Sequence, residues 1–566
     1  MVHVKETSSR LVLTGTKDDL ETLSKAYRIR PPEYWRSPKW ELYKKTKGEH
    51  GWDGYIYPLK VRGITGVLAR GHLDDLRMKA IQHDVSLDES GVLRRPYAGM
   101  TIDDVPTDLV KSEFPDYPHQ REIVWKWLQQ CMGIGEITVS GGKTRSFCMA
   151  AAMLKRKLKK MRVLYLVPTE RLVKQACLDA KGFLPDWNIT QYGGGKRDNT
   201  GELVVATYAI VSRNFRELGE WLVTFNVLFV DEAHHAASPT LSQIIESVPA
   251  YFKFGATDSA KEDDPIRGLA IRGLLGPVLT EVKAGQLIED GHLARPTILI
   301  VDMPSWQNRF ADLPHQAVPG TAAWAYMAET WKKATYLGIS VERDSQGVPI
   351  LKNGKEIQMP SSHRLEINGT ELDVESRWCL LERVYDRAII RFKERNEMIY
   401  AWAKHFSNTK ERSLIVATRT LHVLLLQAGL GHVIDPNLVR ILFSEHDTKE
   451  RDEVFQWLKD TPGSVLISPL VKEGVSIPEL TAGIIGDYVG SIDVARQLVG
   501  RFIRKKRHRD DNTAKIVWFV DRQVPSYRRG SLELLREMEK IRGYDFVHPL
   551  AGPETLDLGL RYESRS

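Results

Sequence analysis

The chain has 566 residues, 42% of them hydrophobic and 27% charged, which is the composition of a globular protein with room for three or four domains. Eighty basic residues face 73 acidic ones, for a net charge of +7; that balance permits nucleic-acid binding without demonstrating it. No apolar run reaches the ~18–20 residues that span a bilayer, and the four cysteines, Cys131, Cys148, Cys177 and Cys379, show no paired spacing, so a disulfide framework or structural zinc site is not expected.

Residues 1–112 read as a separate small domain of α+β character. Short apolar runs at Arg10–Leu13, Tyr55–Leu59 and Gly66–Ala69 accompany one helical pattern, Leu73–Asp84. Aromatic residues Tyr34, Trp35, Trp40, Tyr43, Trp52, Tyr55 and Tyr57 interleave with Arg36, Lys39, Lys44, Lys45, Lys47 and Lys60. Two readings stay open for them. They form a stacking and backbone-tracking surface for nucleic acid, with Trp40, Lys44 and Lys45 as contacts, or they are the core of a small domain. Trp52, between glycines ahead of a strand, belongs to the core.

The texture changes at residue 119. A helix, His119–Cys131, leads into apolar runs at Val163–Val167, Leu203–Ala206, Val227–Val230 and Tyr251–Gly255 that alternate with helical stretches. Continuous apolar strands between helices predict a parallel sheet covered on both faces. A second such series follows at Ser413–Ala417, Val439–Phe443, Val465–Ile467, Gly483–Gly486 and Ile516–Val520. The expected architecture is therefore α/β. It has a first lobe over 113–304, an insertion and lobe connection over 305–395, a second lobe over 396–525 and a helical tail over 526–566. Asn353-Gly354 and Asn368-Gly369 predict β-hairpins in the insertion.

Chemistry enters at Ser140-Gly141-Gly142-Lys143-Thr144, between a short strand and an Ala-rich helix, Arg145–Lys160. Glycines let backbone N–H groups close around phosphate oxygens, and the helix dipole adds favourable potential. Lys143 reaches β- and γ-phosphates and the Thr144 hydroxyl ligates Mg2+ in such a loop. The full phosphate-loop pattern wants glycine where this chain has Ile137, and Gly-Lys-Thr alone also fits a plain helix cap. Lys155, Arg156, Lys157, Lys159 and Lys160 at the helix end read as a solvated face.

About 90 residues later, Asp231-Glu232-Ala233-His234 follows an apolar strand. Asp231 at a strand end suits Mg2+, Glu232 suits the role of general base, and His234 suits a link to the second lobe. Further on, Gln497 opens a helical pattern in which Arg501 and Arg504, three apart, are expected to share a face and to meet a triphosphate.

Taken in order, Gln120, Ser140–Thr144, Pro168-Thr169-Glu170-Arg171, Asp231–His234, Gly255-Ala256-Thr257, Glu473–Pro478 and Gln497–Arg504 resemble the motif set of DEAH-type superfamily 2 helicases, over roughly residues 115–525. Gly51–Ile56, with Gly66-Val67-Leu68 and a helix after it, resembles the small domain ahead of the motor in phage recombination helicases of the UvsW type. The resemblance implies two RecA-like lobes that hydrolyse ATP with Mg2+ on DNA. Forked, branched or single-stranded DNA, or RNA in hybrids, are the expected partners, in recombination, repair or replication. It implies adenine contact by Gln120 with Tyr117 or Arg121 nearby, and nucleotide binding by Ser140, Gly141, Gly142, Lys143, Thr144 and Gly474. It further implies catalysis by Lys143, Asp231, Glu232, Gln497, Arg501 and Arg504, and coupling through His234 and Thr257. Thr169, Arg171 and Thr207 would touch the strand.

Two positions depart from the pattern. Ser259 follows Asp258 where a second threonine is usual, and Ser476 stands for aspartate. An RNA helicase, or a clamp that has lost hydrolysis, are the alternatives. The expected location is the cytoplasm, that of a host if the gene is phage-borne.

Overall fold

The computed structural model describes residues 1–112 apart from 33 and 47–49, residues 117–303 apart from 159 and 259–263, short strands between 335 and 373, and residues 385–550 apart from 444–445, 447, 470–479, 505–511 and 522–524, with residue 553. It divides into two compact units, Met1–Leu287 and Ile288–Ser566. Among the described residues no helix is long and apolar enough to cross a membrane.

The first unit holds two sheets. The amino-terminal one contains β1 (Val2–Glu6), β2 (Arg10–Thr14), β3 (Lys60–Arg62), β4 (Thr65–Ala69) and β5 (Leu87–Gly91), in the order β3-β4-β2-β1-β5. Strict alternation drives it: Val2 and Val4 are buried while His3 and Lys5 are exposed, as expected of a sheet with one wet face. Helices α1 (Lys17–Ala26), α2 (Pro38–Lys45) and α3 (Leu73–Gln82) belong to this domain. Leu20, Leu23, Leu73 and Leu76, from α1 and α3, complete a core with Leu11, Leu13 and Leu68.

The second sheet has eight strands: β6 (Met132–Ile137), β7 (Val163–Val167), β8 (Ile189–Gly193), β9 (Lys196–Arg197), β10 (Leu203–Thr207), β11 (Val227–Asp231), β12 (Phe252–Thr257) and β13 (Val278–Val282). Their order is β13-β6-β12-β11-β7-β10-β8-β9, and every pairing is parallel except that of β8 with β9. β7, β10, β11 and β12 are buried at every position, because helices cover both faces. Those helices are α4 (Pro118–Gln130), α5 (Lys143–Lys155), α6 (Glu170–Phe183), α7 (Tyr208–Arg213), α8 (Gly219–Leu222), α9 (Pro239–Ser247), α10 (Pro265–Leu275) and α11 (Ala284–Glu289).

In the second unit, β14 (Arg295–Asp302) precedes seven short strands. These are β15 (Thr335–Tyr336), β16 (Ile339–Val341), β17 (Leu351–Lys352), β18 (Lys355–Glu356), β19 (Gln358–Pro360), β20 (Arg364–Ile367) and β21 (Thr370–Asp373). Both Asn-Gly turns close antiparallel pairs, β17 with β18 and β20 with β21. Then come β22 (Ser413–Val416), β23 (Val439–Ile441), β24 (Val465–Ser468), β25 (Ala482–Ile485), β26 (Thr513–Val520) and β27 (Asp545–Leu550). They form the sheet β23-β24-β22-β25-β26-β14-β27, parallel throughout. Its helices are α12 (Lys393–Asn408), α13 (Thr420–Leu430), α14 (Thr448–Asp460), α15 (Ile492–Phe502) and α16 (Pro525–Glu539).

Two expected boundaries move. Residues 295–302, placed with the first lobe, pair along their full length with β26 in the second sheet. The tail is not only helical, since β27 pairs beside β14. The physical reason is that β14 inserts between β26 and β27, so the second sheet is completed from both ends of its own unit.

Candidate nucleotide site

Five parallel strands, β6, β7, β10, β11 and β12, end on one edge of the first-lobe sheet. Their carboxyl ends present the glycine turn, Pro168-Thr169, Thr207, Asp231 and Thr257. This edge is where open α/β sheets bind ligands.

The turn after β6 needs unusual backbone. Ser140 (φ 64) and Gly142 (φ 89) are left-handed, and Gly142 caps α5. A Cβ at Gly142 would lie 2.1 Å from Gln120 Nε2, so glycine is required there twice over. Gln120 is buried, and its amide donates to the Gly141 carbonyl at 3.5 Å. His119 donates to the same carbonyl through Nε2 at 2.9 Å, which fixes the proton on that nitrogen. Its ring stacks with Tyr117 at 5.7 Å. Arg121, expected near adenine, turns the other way and donates to the carbonyls of Val105 (2.9 Å) and Ile102 (3.0 Å), tying down the segment before α4.

Lys143 opens α5, and its Nζ lies 3.3 Å from Glu232 Oε1. Burial alone would lower the amine's pKa, but the carboxylates of Glu232, Asp231 and Asp258 together hold it above its ordinary value. The Thr144 hydroxyl is 3.4 Å from the Tyr165 hydroxyl, which rises from β7 and whose own ionisation is suppressed by burial.

Asp231 ends β11, and burial first, then the charge of Glu232, pushes its carboxyl up to about 6. Glu232 is left-handed (φ 48), a strained setting for a residue with a side chain, and its N–H donates to Asp231 Oδ1 at 3.0 Å. The Tyr208 hydroxyl donates to the Asp231 carbonyl. His234 Nδ1 is 2.8 Å from the Thr257 hydroxyl, so the acidic loop and the end of β12 are joined by a direct bond. Ligand atoms of Glu232, His234 and Asp258 lie within 4.8 Å of one another, which crowds a third carboxylate into the centre.

Thr169 and Thr207 cap α6 and α7, accepting from Leu172 N–H (3.3 Å) and Ile210 N–H (3.2 Å). Thr207 is buried and Arg171 is half-buried in the first turn of α6. In the amino-terminal domain Trp40 is half-buried, edge-on to Tyr34 (5.1 Å) and stacked on Tyr43 (5.8 Å), while Gly54 leaves room for its ring. Arg30 lies over Tyr34 and Tyr55. These half-buried aromatics therefore form a ring cluster, held by cation–π contacts, beside the amino-terminal core. Lys44 and Lys45 are exposed at the end of α2, and Trp35 is the outward aromatic, 56% exposed.

In the second unit Gln497 and Arg501 lie on α15, both half-buried. Arg504 does not share their helix. α15 ends at Phe502, and Arg504 pairs in a β-bridge with Leu293, so the expected common helical face is not formed. Gly474 and Ser476, like Ser259, lie outside the described residues. Sequence reasoning passed over His119, Tyr165 and Tyr208. The two tyrosines sit inside or beside apolar runs, where an aromatic residue reads as core.

A lysine-bearing phosphate loop beside an Asp-Glu strand end, on the ligand edge of a parallel sheet, is the arrangement of an ATP-dependent enzyme, and with its order of motifs the chain resembles the superfamily 2 DNA helicases. Residues 113–259 match the family described as type III restriction enzyme, res subunit. The DNA 3'-5' translocase XPB2 of Sulfurisphaera tokodaii is 23% identical over 465 residues, covering 80% of this chain and 90% of that protein. The ATP-dependent DNA helicase uvsW of Enterobacteria phage T4 is 27% identical over 186 residues, 31% of this chain and 36% of that one. The crystal structure of T4 UvsW aligns with a TM-score of 0.40 at 14% identity, over 96% of this chain and 98% of that chain.

Proposed function

We propose that this chain is an ATP-dependent DNA helicase or translocase acting on forked, branched or R-loop DNA in recombination, repair or replication. The observation that carries the reading is the convergence of Lys143, Asp231 and Glu232 on one sheet edge, with Lys143 Nζ 3.3 Å from Glu232. DNA as the substrate is supported by the names of the two curated relatives.

The donor set fits a hard cation, because the Thr144 hydroxyl and the Asp231 carboxylate are both oxygen ligands. They would hold Mg2+, which supplies charge neutralisation at the phosphates. Lys143 binds the phosphates, and a γ-phosphate competes with Glu232 for its ammonium. Glu232, so released, takes the proton from the attacking water. The backbone N–H groups at the start of α5 orient the triphosphate. His234 and Thr257 connect this chemistry to motion, and Gln497, Arg501 and Arg504 act from the second lobe on charge developing at the γ-phosphate. Thr169, Arg171 and the amino ends of α6 and α7 follow the strand backbone. In the amino-terminal domain Trp40, Lys44 and Lys45, with the exposed Trp35 beside them, form the second contact.

The test is ATP-driven strand separation on matched fork, bubble, R-loop and four-way substrates, each made in DNA and in RNA. Turnover and unwinding with DNA branches support the reading. Stimulation by RNA alone would give the reaction to RNA, and binding without turnover would make the protein a clamp.

A further inference from the structure

Within the first unit, the amino-terminal domain is joined to the α/β sheet by buried ionisable groups, which carry a desolvation penalty unless they are well paired or neutral. Arg70 is 1% exposed, and it donates through Nε to Glu6 at 2.6 Å and through Nη1 to the Tyr251 carbonyl at 2.6 Å. Arg95 donates to the same carboxylate at 2.8 Å and to the Tyr251 hydroxyl at 3.2 Å. Lys253, also 1% exposed, donates to the Ser9 hydroxyl at 3.0 Å and to the Ile245 carbonyl at 2.8 Å. Glu6, Ser9, Arg70 and Arg95 come from the amino-terminal side; Tyr251 immediately precedes β12 and Lys253 is its second residue.

The far end of that strand is Thr257, bonded to His234 of the acidic loop. β12 is only six residues long, about 17 Å, and parallel neighbours hold it on both sides. One strand thus touches the amino-terminal domain at its start and the nucleotide site at its end.

Helix α10 makes a second link. A Cβ on Gly273 would lie 2.8 Å from His72 Nε2 and 2.9 Å from Ala69 Cβ, and one on Gly71 would lie 2.0 Å from the Arg272 carbonyl. At its end, Leu275 packs on Gly255 of β12, where an added Cβ would meet Ala233 Cβ at 2.9 Å and Leu275 Cδ1 at 3.0 Å. The amino-terminal domain, α10, β12 and the acidic loop are therefore in successive close contact, and close-packed interiors transmit strain.

We propose that β12 and α10 couple the amino-terminal domain to the nucleotide site, with Lys253 and Gly273 as positioning residues, so that a nucleic acid held by that domain sets the acidic loop. Only the identity of that outer ligand rests on the proposed function; the coupling itself does not.

The experiment uses the full chain and a non-hydrolysable ATP analogue, with hydrogen exchange read over residues 65–76. Coupling is reciprocal, so nucleotide at one end must alter the other. In the unsubstituted protein the analogue is expected to slow exchange over 65–76. In Lys253→Met, Gly273→Ala and the milder Ser9→Ala, that change shrinks by about fivefold or more, while the analogue still protects residues 140–146. An unsubstituted protein whose 65–76 segment ignores the analogue overturns the proposal, as does an undiminished change in variants that remain folded. A parallel arm with fork and single-stranded DNA reads the ratio of their stimulated kcat values. This ratio falls to near one in the variants, with KM for ATP within about twofold. A ratio already near one in the unsubstituted protein removes fork selection from the proposed function and leaves the coupling to stand or fall on the analogue arm.

Discussion

At the scale of single residues, the proposed mechanism contrasts groups that bind with a group that reacts. Lys143 pairs with Glu232 in the structure and is proposed to meet phosphate once nucleotide binds, so Lys143→Ala is expected to abolish turnover and to weaken ATP binding while strand binding survives. An equilibrium titration of labelled nucleotide beside one of labelled DNA checks both halves. Glu232→Gln should bind ATP and turn over about 10²–10⁴ times more slowly, the usual worth of a positioned general base; a collapse of ATP affinity instead would make Glu232 a structural or metal-holding residue. Tyr208→Phe removes one bond to the Asp231 carbonyl, a loss of about 1 kcal/mol. Melting temperature should fall slightly and turnover several-fold, which thermal unfolding and steady-state kinetics on one preparation will separate. None of the tyrosine contacts was legible in sequence, since Tyr165 lies in the run Val163–Val167 and nothing in the pattern distinguishes a hydroxyl aimed at Thr144 from one aimed at solvent.

At the scale of elements, the strands that sequence marked well are those buried on both faces. β7, β10 and β11 are unbroken apolar runs between helices, and their limits agree with the sequence reading to within a residue. β1 alternates clearly but is five residues long at the chain start, and β8 contains Thr190 and Gln191, so neither stands out as an apolar run. Periodicity also cannot say which sheet a parallel strand joins, which is why β14 was placed with the wrong lobe. The helical face expected of Arg501 and Arg504 is absent for a related reason: no glycine or proline follows Phe502 to mark the end of α15, so the helical spacing reads on past it. Lys253 in β12 allows a prediction at this scale. Burial lowers its pKa to about 7, from an unfolded value near 10.5. Between those two values the unfolded chain binds the extra proton, so stability rises with pH across that window; below about 7 both states are protonated and the contribution is constant at its least favourable. Relative to Lys253→Met, the unsubstituted protein should therefore gain stability from pH 7 toward 10, by up to about 1.4 kcal/mol per pH unit. A difference that stays flat with pH would mean that the folded state keeps Lys253 charged.

For the whole molecule, sequence foresaw two parallel-sheet units and a small leading domain but not how that domain is attached. A chain beginning near Lys111 reads from sequence as a self-sufficient motor. The structure puts the buried amine of Lys253 and the Gly273 surface of α10 under the amino-terminal domain, and cutting there would expose both. Such a truncation is expected to lose cooperative melting, and a truncated protein that melts as sharply as the full chain would contradict the buried junction. Fork preference is better probed in the full chain by Trp35→Ala with Lys44→Ala and Lys45→Ala. These positions are exposed, so melting should be unchanged while the salt slope of fork binding becomes shallower. Removal of about 306–373, whose described hairpins pair among themselves, should leave DNA-stimulated hydrolysis measurable.

Hydrolysis at the Lys143–Asp231–Glu232 edge is proposed to drive strand separation. The most direct test is a single-turnover unwinding assay on a DNA fork, comparing the unsubstituted protein with Glu232→Gln at saturating ATP and Mg2+. Strand separation is expected from the first, and fork binding without separation from the second. Separation by Glu232→Gln at the unsubstituted rate, or by either protein without ATP, would contradict it.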